Sequence, residues 1–193
     1  MTEPRVHPTA RIASTAVIEG DVRIAAHSRV LHGAILSAGD GVIELGTYGI
    51  VMEQAVLRAT KRFPLTIGSH CLVGPHASIS GAEIGAEVFL ATGSSVFPGA
   101  VIGRRSEVRI NGVVHLRTVL AEDSTVPIGW IAVGDPAQLF SPDRHDELWA
   151  VQRELDFPGF VFGVDRADPD AMVHLTERYA DALLTDPRST RRE

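Results

Sequence analysis

Aliphatic residues recur every sixth position along most of this chain, and that period restricts the fold more than any other feature. Val6, Ile12, Ile18, Ile24 and Val30 open the series, and Leu45, Val51 and Leu57 resume it in the same phase. Ile67, Val73 and Ile79 follow. One five-residue step leads to Ile84, and Leu90, Val96, Ile102, Val108 and Val114 continue. A small residue stands four places after most of them, among them Ala10, Ser28, Ala55, Cys71, Ala77 and Ser106. A helix repeats at 3.6 residues and a half-buried strand at 2, so six fits neither. It fits a parallel β-helix of hexapeptides, in which each unit supplies one short strand and one corner. The aliphatic side chain points inward, and the small residue sits where the turn crowds the interior. Three units close a triangular coil of about 18 residues. Coils stack at the strand spacing of ~4.8 Å, so equivalent positions lie above one another inside and outside.

Two stretches break the period. Residues 37–43 (SAGDGVI) and 59–66 (ATKRFPLT) read as loops leaving the coil. Beyond the solenoid, SPDRHDELWAVQREL reads as a helix capped by Ser141, with Pro142 in its first turn and Leu148, Trp149, Val151 and Leu155 as an apolar stripe. FPGFVFG reads as an extended apolar strip. DPDAMVHLTERYADALL repeats the helix signature, with Asp168 as cap, Pro169 in the first turn, and Met172, Leu175, Tyr179 and Leu183 as stripe. The expected division is a β-helix over 1–140 and a helical appendage over 141–193, lying on the solenoid flank or on a neighbouring subunit.

Composition narrows the function classes. Apolar residues make up 45% of the 193 but aromatic residues only 6%, so the core has to be aliphatic. A net charge of −6 lacks the basic stripe a nucleic-acid surface requires. No run approaches the ~18 apolar residues of a membrane span, and the opening MTEPRVHPTARIAS lacks the apolar core of a signal peptide. One cysteine excludes an internal disulfide framework and suits a reducing compartment. The expectation is a cytoplasmic protein with neither nucleic acid nor membrane as partner.

Laid out in coils, residues 6 to 140 resemble the γ-class carbonic anhydrase-like branch of the hexapeptide-repeat superfamily. The order of the interruptions carries the resemblance, as does the closing AVGDPAQLF, which is similar to the family's VGxPAKxxR ending. The resemblance, and not the period, implies a left-handed coil and a homotrimer. It also implies a zinc ion between subunits, held in active members by three histidines. One histidine ends a segment like IQDxxVIH, and the other two lie in IGHxxxxHG. Here those segments read VMEQAVLR and VGPHASISG, which puts Arg58, Pro75 and Ser80 at the three ligand positions. The glutamine and aspartate of the first segment become Met52 and Glu53. The arginine and aspartate of the family's upstream RGD become His32 and Ala34. No metal site of the usual kind is therefore expected, and no cofactor on the leading reading.

Coil arithmetic gives one outward column of Arg58, Ser80, Phe97 and His115, and a second of His32, Glu53, Pro75 and Thr92, with His76 one residue beyond it at a corner. The resemblance implies that these columns face each other between subunits. That suggests a ligand-binding site from Arg58, Ser80, His32 and Glu53, with His76 and His115 as candidate catalytic histidines. Each residue has a plainer reading. Arg58 suits an ion pair with Glu53 across the interface, His76 suits a solvated turn like His27 and His70, and His115 suits packing on Phe97. Three function classes stay open. The first, and leading, reading is a non-hydrating trimer that binds a small anionic ligand between subunits. The second is a hexapeptide acyltransferase that uses acyl-CoA and His76 or His115 as general base. The third is a structural or assembly subunit.

Overall fold

The computed structural model describes residues 3–184, in which the six-residue frame is wound into stacked coils. One face is a seven-stranded parallel sheet of two-residue strands from Arg11–Ile12 to Thr125–Val126, with registers such as Ile50↔Leu72 and Phe89↔Glu107. The second face carries Val56–Arg58, Ser78–Ser80, Ser95–Val96, Val113–Val114 and Ile131–Val133. The third carries Arg5–Val6, Leu65–Ile67, Glu83–Ile84, Val101–Ile102 and Val119–Leu120. Registers of Glu83↔Val101↔Val119 set the coil length directly at eighteen residues.

The aliphatic residues of the period fill the interior. Leu57, Ile79, Ile84 and Leu90 are essentially inaccessible, as are the small corner residues Ala55, Ala77 and Ser106. Burial inside the coil pushes the Cys71 thiol above its ordinary pKa and leaves it inert. All three corners turn through residues with positive φ, the one between the second and third faces through Gly81, Gly99 and Arg117. One corner runs Gly33, Gln54, His76, Gly93, Asn111 and Gly129. Another runs His27, Tyr48, His70, Glu87, Arg105 and Asp123.

Four expectations are corrected. Residues 37–43 lie within one strand, Ile35–Leu45, that spans two faces. It pairs with Val17–Ile24 up to Ser37 and again from Val42, and the register shift between Glu19 and Asp21 leaves the extra residues 38–41 as a bulge between the two paired stretches. Gly20 and Gly39, both at positive φ, bend these strands where other coils have a tight corner. The second interruption is a loop but a shorter one, closed by paired backbone bonds between Thr60 and Phe63 before Leu65–Ile67 begins. The first helix, α1, is His145–Gln152, so Ser141 does not cap it and only precedes it through an Arg144 N–H to Ser141 carbonyl bond. FPGFVFG is not extended, since Pro158–Phe162 forms a single wide helical turn ended by Gly163 at positive φ.

The second helix, α2, is Ala171–Leu184. Asp168 does serve its start, accepting from the Asp170 N–H and pairing with His174 at 2.7 Å. Those bonds hold its carboxyl below the ordinary range. At the upper end of the solenoid Gln138–Phe140 returns antiparallel on Ile131–Val133, and Leu148 of α1 packs with Val133 and Phe140.

Candidate functional site

The column on the second face is laid down by strand register. Ser37 pairs with Arg58, and Arg58 with Ser80. The ladder continues through the Phe97 N–H to the Val114 carbonyl, which sets Phe97 beneath His115. Each rung is one coil, roughly 4.8 Å, from the next. Glu19 closes the lower end, accepting from Ser37 Oγ at 3.3 Å. Arg58 is exposed, Ser80 and Phe97 are half-buried, and His115 is buried. Among the described residues no carboxylate lies within ion-pairing distance of Arg58, so the expected pair with Glu53 is not made within one chain.

His32, Glu53 and His76 gather at a different place, the corner between the first and second faces. The Gln54 N–H donates to the His32 carbonyl and the His76 N–H to the Glu53 carbonyl, which fixes the column rung by rung. All three side chains are exposed. His32 Nδ1 lies 2.8 Å from the Thr15 hydroxyl. His76 has φ 58°, as its corner requires. Each chain thus carries two halves, Arg58 with Ser80 at one edge of the second face and His32, Glu53 and His76 at the other.

His115 is not open to solvent. Its ring stacks on Phe97 with centroids 5.3 Å apart. The Gln152 amide nitrogen, 3.0 Å from Nε2, donates to it, which places the ring proton on Nδ1. Nδ1 is buried with no partner among the described residues. Burial alone depresses its pKa, so the ring is neutral near neutral pH.

The apolar segment 157–163 packs beside this column through Phe97. It carries an aromatic chain from Phe97 to Phe157, Phe162 and Tyr179, with centroids 5.6 to 6.0 Å apart. Phe160 lies against Phe63 and beneath the guanidiniums of Arg62 and Arg117, 4.8 and 4.6 Å from its centroid. Phe63 and Phe160 are 97 positions apart, so no local spacing signals the contact. The nearest hint in the sequence is the concentration of scarce phenylalanines in one short run.

Away from these columns, a shallow groove of about 390 Å³ on the third face is lined by Arg5, Arg23, Glu44, Thr66 and Ser69. Its guanidiniums are already paired, Arg5 with Asp21 and Arg23 with Asp21 and Glu44. Among the described residues of one chain, no three His, Cys, Asp or Glu side chains gather closely enough to hold a metal ion.

No known family profile matches the chain. It is 28% identical over 158 residues to an uncharacterised protein of Dictyostelium discoideum, covering 79% of this chain and 62% of that one. It is 22% identical over 151 residues to the mitochondrial gamma carbonic anhydrase 1 of Arabidopsis thaliana, covering 75% and 53%. Against a probable carbonic anhydrase of Methanocaldococcus jannaschii it is 31% identical over 86 residues, covering 45% and 54%. The chain therefore spans less than two thirds of the length of these relatives. Among solved structures it superposes on a Bacillus cereus protein provisionally assigned as an acetyltransferase, with a TM-score of 0.55 and 18% identity over 94% of this chain and 93% of that one. At that identity the likeness shows the fold, a left-handed β-helix of hexapeptide repeats followed by helices.

Proposed function

We propose that this chain, a hexapeptide-repeat β-helix protein distantly related to the γ-class carbonic anhydrases, binds a small organic anion between the subunits of a homotrimer and does not hydrate carbon dioxide through zinc. The observation that carries the reading is Arg58. It is an exposed cation in register with the Ser80 hydroxyl, with no counter-ion among the described residues. A guanidinium presents a planar fork suited to a carboxylate, and a free one at a residue column is a ready anion seat. In a trimer, His32 and Glu53 of the adjoining copy complete the site.

The donor set argues against the metal. Zinc in a catalytic site takes three protein ligands and keeps one position open. At the positions that resemblance assigns, Pro75 has no side-chain donor, Ser80 offers a neutral hydroxyl and Arg58 brings a permanent positive charge. These residues do not fit a divalent cation. The transferase reading rests on His76 alone as a base in reach of solvent, because His115 is buried against Phe97 and Gln152.

Melting temperature and metal content test the proposal together. Protein purified without chelator is expected to hold far less than one zinc per chain and to melt higher in millimolar acetate or benzoate. Arg58→Gln is expected to abolish that shift. Stoichiometric zinc would overturn the reading. Stabilisation by coenzyme A without any by carboxylates would favour the transferase, and no shift with either would favour an assembly subunit.

A further inference from the structure

Rings one coil apart on this solenoid stack on one another. His27 and Tyr48 are 4.8 Å apart at 20°, Tyr48 and His70 are 5.2 Å apart at 16°, and Phe97 and His115 are 5.3 Å apart at 17°. The coil spacing of roughly 4.8 Å is somewhat wider than a tight stack and still within the range of offset aromatic pairs. The second-face column is such a ladder with one rung short. His115 covers the upper side of the Phe97 ring, and Phe157 meets Phe97 edge-on at 6.0 Å. Below Phe97 the next rung is Ser80, whose side chain is a single hydroxymethyl, and below that is Arg58. Arg58 and Phe97 thus stand two coils apart, roughly 10 Å, with only a hydroxyl between their levels. Phe63 walls the corner side, where a Cβ on Gly81, the residue after Ser80, would collide with the Phe63 Cβ at 2.3 Å.

We propose that the ligand of this site is a planar aryl or conjugated carboxylate, whose ring fills the missing rung at the level of Ser80 against the lower face of Phe97, while its carboxylate reaches Arg58. The Ser80 hydroxyl then meets a ring substituent or the carboxylate edge. This rests on the anion-binding reading above and adds the shape and planarity of the anion. It departs from the plainer view of Phe97 as a packing post for the appendage, which accounts for its contacts with His115 and Phe157 and assigns nothing to the level of Ser80.

Titration calorimetry on the full chain with acetate, cyclohexanecarboxylate and benzoate tests it. Benzoate is expected to bind at least about tenfold tighter than acetate, as ring burial and stacking together imply, with cyclohexanecarboxylate between them. Phe97→Leu, which keeps apolar volume but removes the ring face, is expected to bring benzoate within about threefold of cyclohexanecarboxylate. Ser80→Phe supplies the missing rung from the protein itself, and is expected to raise the melting temperature and abolish benzoate binding. If acetate and benzoate bind equally, the planar-ligand inference fails while the anion site stands. If Ser80→Phe still binds benzoate normally, the ring does not sit at that rung and the inference fails. If no carboxylate binds at all, the anion-binding reading falls and takes this inference with it.

Discussion

His115 and His76 exchange importance between sequence and structure. A histidine in an outward column invites a catalytic role, yet His115 is buried against Phe97 and Gln152. His76 shares its positive φ with Gln54 and Asn111 above and below it, so the corner alone accounts for its backbone. Buried His115 has a folded pKa below its ordinary value, while the unfolded chain titrates near 6.5. Between those two values the unfolded state binds the extra proton, so stability rises with pH across that window. The contribution is undiminished above about pH 6.5 and is lost as pH falls below it. Urea midpoints at pH 7.5 and 5.5 should therefore differ more for the native protein than for His115→Gln. Equal differences in the two proteins would mean that His115 is hydrated in solution.

At the scale of elements, the six-residue period was enough to place almost every strand, because inward positions admit only aliphatic side chains. It failed at 37–43, where the paired strands bend between faces at Gly20 and Gly39 and the extra residues 38–41 form a bulge between two paired stretches rather than a loop. It failed again at FPGFVFG, since a short apolar run reads alike as strand or as buried helical turn. The site was half legible. Register follows from the period, so the column of Arg58, Ser80, Phe97 and His115 could be written down from sequence. The cover over His115 could not, because it depends on contacts such as Phe63 with Phe160 that no spacing encodes. Those contacts make the appendage separable in stability. Phe160→Ala removes a half-buried ring from between two guanidiniums, and is expected to cost about 2 kcal/mol of local stability. Amide exchange should speed up over residues 145–162 and stay slow in the coils. Equal acceleration in both would show the appendage and the solenoid to be one cooperative unit.

For the whole molecule, each coil sets one corner residue and one second-face residue at the same height. Glu53 stands level with Arg58, Thr92 with Phe97, and Ile110 with His115. A neighbour related by rotation about an axis parallel to the stack would bring unlike patches together level by level, a head-to-tail contact that closes into a ring. The single chain leaves apolar surface on that corner, with Ile110 46% and Ile128 63% exposed, and on α2, with Met172 66% and Tyr179 48% exposed. Exposed apolar side chains on a corner such as that of Ile110 and Ile128 suit a surface that another body covers. Sedimentation should therefore give three times the 20.7 kDa of one chain, with a melting temperature that rises with concentration. Ile128→Glu alters a residue already in water, so its cost to one chain's fold is within about 0.5 kcal/mol. It should nevertheless shift the mass toward that of one chain and weaken benzoate binding, if the proposed site draws Arg58 and Ser80 from one copy and His32 and Glu53 from the next. An Ile128→Glu protein that stays at full mass would place the contact elsewhere. One that dissociates yet binds benzoate undiminished would place the whole site on a single face.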